Sequence, residues 1–506
     1  MTADALAPPG RVARSVFPAA AVAIAFLASL VLFIRGVGPA DAEHYIAAAL
    51  AWKENGPFLG DTHWALRHLF VLPMAAAFAL FGPSEFTAAI PNILYAAGLV
   101  AVTFIFGRRY LGREAGFAAA ALVALSAFLV QTQFEVRIDG AELFYSALAA
   151  WFFIAGLQGE GGAARRAVFL AGVCAGGAWL CRESALHLPI AFGLVALWRL
   201  KRPLTTLALL GGGFGAVIAG EALFYAIAAG DPFYRYAVDF GHGGAKSVAD
   251  IVAPAFANIA KPVYNLLNYP VATPFILLGG LAWLAPGFRA SFAEGSRRDT
   301  LAVFAVTSLL GFALSSYGLK LNQPHYFPIV VYAAFLSLAA FGAHLFQTGR
   351  RRLGAAFILA IVVLNAAGAD FRSYDEYAEA RYLAAIAQHA DEPISTDLIT
   401  ATRARMDLRL RGATQSEAEA RIRPIPKGQS GCGLIYVATP RGSRPAIEPS
   451  PAWRLEHTQK VRSDRWTHFL LRQVGAERSP SPRLREIVAG AEPVALYRGP
   501  SCGAAR

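Results

Sequence analysis

The sequence predicts an all-α polytopic membrane protein, with about 11 crossings plus one re-entrant or interfacial segment and a small α/β C-terminal extracytoplasmic domain. Three observations predict it. The 506 residues are 56% hydrophobic and 16% charged, with a mean hydropathy of +0.44, more apolar surface than a soluble core hides. Apolar runs near the ~17–25 residues that cross a bilayer recur from Phe17 to about Ala369. Beyond them the composition turns polar, dividing the chain into a transmembrane domain, 1–369, and a soluble one, 370–506.

Taken in order, Arg11 and Arg14 precede "SVFPAAAVAIAFLASLVLFI", which is longer than a signal-peptide core and has no convincing cleavage site before Asp41. It reads as a retained signal anchor over about 15–34. Further spans are expected near 87–107, 115–133, 139–157, 167–181, 184–199, 203–229, 268–285, 301–317, 326–346 and 352–369. The basic connections "GRRYLGREAG", "GGAARRA", "WRLKRP", "GFRASFAEGSRRD" and "GRRRLG" are each separated by two spans, so all five agree on one cytoplasmic face. A crossing at 67–81 would reverse every later loop. That stretch is short, begins with Arg67 and His68 and contains Pro73, so it is expected to dip into the outer leaflet or lie at the interface.

The other face then carries "GPADAEHYIAAALAWKENG", "FEVRIDGAE", "CRES", the segment 230–267, "SSYGLKLNQPHYF" and the tail. The net charge of +12 belongs largely to orienting loops, so no nucleic-acid partner is expected. The segment 230–267, with Lys246 and Lys261, reads as an outer loop with a short amphipathic helix, suited either to covering a substrate or to plain connection. In the tail, "EYAEARYLAAIAQHA" has the period of an amphipathic helix, and "EPISTDLITA", "CGLIYVAT" and "EPVALYRG" are strand-like. No CxxC or Cys/His cluster marks a zinc site; Cys432 and Cys502 are expected to pair in an oxidising compartment.

The N-terminal span followed by Asp-x-Glu-x-Tyr (41–45), the "LFG-x-x-E" element, "RIDGAELFYSALAAWFF", "CRES" and "LKLNQPHYFPIVVYAAFL" together resemble the C-type (GT-C) membrane glycosyltransferases over about residues 15–346. The branch they are most similar to contains the protein O-mannosyltransferases, the lipid A aminoarabinose transferase and the rhizobial galacturonosyltransferases. The resemblance implies transfer of a sugar from a polyprenyl-phosphate donor to a lipid, lipopolysaccharide, glycan or protein acceptor on the extracytoplasmic face of a bacterial-type inner membrane. It places Asp41 and Asp139 at the family's two loop aspartates, Arg182 where a Lys usually stands, and Lys320 with Tyr326 in the later Lys and Tyr pattern. One departure concerns the substrate: "ALRHLF" replaces the Glu-Lys-Pro of the lipid A enzymes, leaving Arg67 or His68 to supply the cation.

The chemistry asks for the same residue types. Transfer from a polyprenyl phosphate needs a carboxylate that takes the acceptor proton and cations that meet the leaving phosphate. Asp41 is the expected base, with Glu43 in reserve or simply an acidic first-turn residue. Asp139 is either a helix cap or a catalytic carboxylate, and the two roles are compatible. Arg137 is a phosphate ligand or an interfacial arginine; Arg182 is a phosphate ligand or the local partner of Glu183. Lys320 and His325 are positioned to neutralise phosphate, while Tyr45 and Tyr326 read as interface aromatics, Tyr326 also as a substrate contact. A divalent metal (Mg²⁺ or Mn²⁺) stays open, since two aspartates and a phosphate suit one and the surrounding cations suit none. The rival class, a transporter of a lipid-linked or small polar substrate, calls for mid-membrane charges and inverted repeats; here the charges gather at one face.

Overall fold

The computed structural model describes residues 19–30, 41–126, 136–243, 260–267, 272–292, 295–318, 326, 328–372, 378–426, 431–438, 447–462, 472–473, 475, 478, 480 and 491–501. Contacts group the chain into two units. One comprises Met1–Ile34, Leu59–Val71 and Asn92–Ala369; the other comprises Arg35–Phe58, Leu72–Pro91 and Asp370–Arg506. The second unit therefore adds two early stretches to the polar tail.

Helices along the chain are α1 (Ala19–Leu30), α2 (Ala42–Asn55), α3 (His68–Phe81), α4 (Glu85–Tyr110), α5 (Arg113–Ala124), α6 (Asp139–Gln158), α7 (Gly161–Cys181), α8 (His187–Arg199) and α9 (Leu204–Ala229). They continue with α10 (Tyr234–Gly243), α11 (Ala260–Leu267), α12 (Thr273–Ala282), α13 (Pro286–Ala290), α14 (Gly295–Ala313), α15 (Pro328–Gln347) and α16 (Arg351–Arg372). Among the described residues, 7 helices are long and apolar enough to cross a membrane. The protein is accordingly a mostly helical, polytopic membrane protein with a small sheet region. At 14 residues, α3 reaches about 21 Å, short of a hydrocarbon core of ~30 Å.

In the first unit the pair α6 and α7 fixes the register. Only Gly159 and Glu160 separate them, and Gly161 opens α7 at φ +62°, so they run antiparallel and the end of α7 lies beside the start of α6. The contacts keep step: a Cβ on Gly156 would meet Val168 at 2.4 Å, and one on Gly177 would meet Tyr145 at 2.9 Å. α9 comes equally close to α7, because a Cβ on Gly172 would stand 2.2 Å from the Leu210 carbonyl oxygen. Trp151 and Tyr332 are fully buried at the centre, the indole donating to Tyr332 Oη at 3.0 Å and Thr103 Oγ1 lying 2.8 Å from the same oxygen. These bonds satisfy the polar atoms of Trp151, Tyr332 and Thr103 in a core rich in Ala, Leu and Phe.

The second unit contains α2, α17 (Ala378–Ala387), α18 (Leu398–Leu410), α19 (Gln415–Arg421) and a five-stranded sheet of order β2-β1-β3-β5-β4. Strands are β1 (Ile394–Thr396), β2 (Ile422–Pro424), β3 (Leu434–Ala438), β4 (Arg454–Arg462) and β5 (Ala491–Arg498). β1 pairs parallel with β2 and β3, while β5 pairs antiparallel with β3 and β4. The parallel step from β1 to β2 needs a crossover, supplied by α18 and α19. Asp397 caps α18 by accepting from Thr400 N at 2.9 Å, which is why "DLITA" leaves the strand it was expected to extend. Cys432 is disulfide-bonded; its expected partner Cys502 lies outside the described residues.

Candidate functional site

The antiparallel register of α6 and α7 determines the chemistry at their shared end. Asp139 and Glu142 stand three residues apart at the start of α6 and therefore on one face. Arg182 follows directly on α7. Its Nη2 donates to Asp139 Oδ1 at 2.7 Å and its Nη1 to Glu142 Oε2 at 2.8 Å, so one planar guanidinium holds both carboxylates. Arg137 Nε donates to the other Asp139 oxygen at 3.0 Å, and buried Asn92 fixes the Arg137 carbonyl by donating to it at 2.9 Å. The Tyr326 ring lies 5.0 Å from the Arg182 guanidinium carbon. Asp139, Glu142 and Arg182 are all buried, and a buried ionic group persists only when its hydrogen bonds are met.

Arg182 and Glu183 do not pair with each other. Arg182 is extended (φ −157°, ψ 135°), so adjacent side chains diverge. Glu183 Oε2 lies 3.9 Å from Arg67 Nη2, and its other oxygen accepts from Arg235. Arg235 is 1% exposed and also donates to Glu221 Oε1 at 2.7 Å, Asp239 Oδ2 at 3.4 Å and the Trp179 carbonyl at 3.2 Å. This arginine secures α10 against the ends of α7 and α9. His68 stacks beside Tyr225, ring centroids 5.8 Å apart, and Tyr234 donates to the Gly60 carbonyl at 3.1 Å, tying 59–71 to the same corner.

Three carboxylates around Arg235, with Arg67 the second cation, leave one negative charge in excess. Burial, then the neighbouring Glu183 charge, pushes Asp239 up to about 7. Burial acts upward on Glu183 as well, but Arg67 and Arg235 outweigh it and hold it down at about 2. Asp239 thus contributes its full stability below the unfolded carboxylate range, and that contribution is lost as pH rises through about 7. Glu183 contributes above that range and fails only as pH falls toward about 2. Melting in detergent between about pH 5 and 8 is expected to show a decline of order 1–3 kcal/mol that Asp239→Asn flattens. Glu183→Gln is expected to destabilise across the whole range.

Of the groups assigned from sequence, Arg67, His68, Arg137, Asp139, Arg182 and Tyr326 belong to the first unit, and Asp41 and Glu43 to the second. Lys320 and His325 lie outside the described residues. Asp41 precedes α2, exposed, its side chain making no cap hydrogen bond while its carbonyl accepts from His44 N and Tyr45 N. Glu43, two residues on, lies 3.5 Å from Arg403 Nε. Tyr45 is fully buried in the second unit, which corrects its reading as an interface aromatic.

Sequence reasoning passed over Glu142, Glu221, Arg235 and Asp239. Glu221 carried a usable signal, since a single carboxylate within the apolar run 204–229 marks a polar contact. Among the described residues no group of three or more His, Cys, Asp or Glu side chains is placed to hold a metal ion. Asp139 and Glu142 already accept from guanidinium groups, so this donor set does not fit a divalent cation.

Residues 69–220 match the family model of dolichyl-phosphate-mannose-protein mannosyltransferases. No curated protein matches at the level of sequence. The fold aligns with ArnT from Cupriavidus metallidurans bound to undecaprenyl phosphate at TM-score 0.53 and 15% identity, over 85% of this chain and 93% of that one. It aligns with the same protein in the apo state at TM-score 0.53 and 14% identity, over 84% and 93%. AglB from Archaeoglobus fulgidus, in complex with an inhibitory peptide and a dolichol-phosphate, aligns at TM-score 0.45 and 14% identity over 83% of this chain and 62% of that one. The chain is thus similar over residues 69–220 to that mannosyltransferase family, and it shares its fold with ArnT.

Proposed function

We propose that the chain moves a sugar from a polyprenyl-phosphate donor to a lipid, lipopolysaccharide, glycan or protein acceptor at the extracytoplasmic face of a bacterial-type inner membrane. The observation that carries this reading is the Arg182 fork, a buried guanidinium holding Asp139 and Glu142 at the head of a membrane-length helix. Ionic groups at that depth are costly to keep and mark function. The likeness to an ArnT bound to undecaprenyl phosphate supports the donor class.

In this reading the acceptor O–H breaks toward the Asp41 carboxylate and the freed oxygen bonds to the anomeric carbon. The carbon–oxygen bond to phosphate breaks with its electron pair departing on the polyprenyl phosphate. Arg67, His68, Arg137, Arg182, Lys320, His325 and Tyr326 are assigned to meet that phosphate and its sugar. Asp139, with both oxygens accepting from guanidinium groups, sets the direction of Arg137 and Arg182. No step is assigned to a metal.

Membranes containing the protein are expected to transfer label from a radiolabelled polyprenyl-phosphate sugar to an extractable acceptor. Vesicles that instead accumulate labelled solute, without forming product, point to a transporter and remove the proposal.

A further inference from the structure

The second unit contains a one-sided set of ion pairs. In three of its pairs the carboxylate comes from the first third of the chain and the guanidinium from the tail. Arg403 Nε lies 3.5 Å from Glu43 Oε1, Arg409 Nη2 lies 3.3 Å from Glu54 Oε2, and Arg381 Nη1 donates to Glu85 Oε2 at 2.7 Å. Arg403 and Arg409 stand on α18, Arg381 on α17, Glu43 and Glu54 on α2, and Glu85 opens α4.

The pairs differ in burial. Glu43 and Arg403 side chains are 13% and 20% exposed, whereas Glu54 is half exposed. Arg403 is also braced from the tail itself, its Nη1 3.6 Å from buried Glu379, whose carbonyl accepts from Tyr436 Oη at 2.9 Å. Tyr436 is a β3 residue, so the guanidinium that meets Glu43 is referred back to the sheet. Beneath the pairs α2 buries Ala42, Tyr45, Ile46, Ala48, Ala49 and Leu50, an apolar face too short-sided to hold a 14-residue helix in water alone.

We propose that the tail acts as a positioning domain: through Arg403 and Glu43 first, and Arg409 and Glu54 second, it fixes the direction of α2 and so of Asp41, which directly precedes that helix. Glu43 is then a positioning residue and not a second base. The inference rests on Asp41 as the base. It gives the tail, which carries no Gly-rich phosphate fingerprint or nucleophile elbow, a part in the reaction.

The test combines hydrogen exchange with kinetics on the full-length protein in detergent, using Arg403→Ala, the milder Arg409→Ala in case the first folds poorly, and Arg403→Lys as the conservative variant. Exchange of amides 44–55 is expected to accelerate at least 10-fold in Arg403→Ala and less in Arg409→Ala, with β3 and β5 unchanged. Turnover at saturating polyprenyl-phosphate sugar should fall about 10- to 100-fold, as expected for a displaced catalytic group, with the donor KM within about twofold. Arg403→Lys should recover most of both. Unchanged exchange in both alanine variants overturns the proposal, as does loosened α2 with turnover intact, or a raised donor KM with turnover intact. If the unmodified protein transfers no sugar, the transferase reading falls, and the exchange arm still decides whether the tail holds α2.

Discussion

Replacing Asp41 by asparagine is expected to lower sugar transfer by roughly 10²–10⁴-fold, the usual contribution of a general base. The substitution keeps size and polarity and removes only the proton acceptor. Because Asp41 is exposed and its side chain makes no cap hydrogen bond, the loss should come without unfolding or failed insertion. Donor binding should persist, since Asp41 is not among the groups assigned to phosphate. The comparison set is Glu43→Gln and Asp139→Asn in the same assay with purified protein. If Asp41→Asn retains near-normal transfer while one of the others abolishes it, the base is that residue. Activity in all three would count against a carboxylate base altogether.

Arg182→Met is expected to have the largest effect on stability. It leaves Asp139 and Glu142 buried, the second with no guanidinium, and breaking a buried pair from one side costs about 3–5 kcal/mol. Arg182→Lys is expected to recover only part of this, because an ammonium does not reproduce a planar two-pronged contact. The triple variant Arg182→Met, Asp139→Asn, Glu142→Gln should regain most of the stability, since no buried charge is then left alone on Glu142. Denaturant or thermal unfolding in detergent, with expression level as a second readout, checks the order. Equal stability of Arg182→Met and the native protein would mean that water reaches these carboxylates.

Seven of the eleven expected spans coincide with helices, among the described residues, long and apolar enough to cross a membrane, because bilayer thickness imposes a length that composition displays directly. Residues 139–157 and 203–229, expected as spans, match α6 and α9 to within one residue at each end. Asp139 and Arg182 were legible as types, since charges beside apolar runs are costly, but their pairing was not. That depended on a two-residue turn setting two helices antiparallel, a relation between positions 43 apart. Arg235 was hidden for a different reason. It sits in an aromatic and glycine-rich segment that resembles an exposed loop, and only its three contacts with distant elements, to Glu221, Trp179 and Glu183, reveal its burial. In the tail, β1 and β3 were visible as short apolar runs, whereas β2 and β4, with "IRP" and "RLEHTQKVR", lack the hydrophobic bias that marks a covered strand.

The close fit between α6 and α7 also constrains how the protein adapts to its surroundings. A residue gained or lost within either helix turns its end by about 100° and shifts it by ~1.5 Å, which would carry Arg182 away from Asp139 and Glu142. These two helices therefore have fixed lengths, whatever bilayer the protein occupies. Accommodation of a thicker or thinner membrane falls to helices such as α16, whose window is only 17% buried and which carries none of these charged groups.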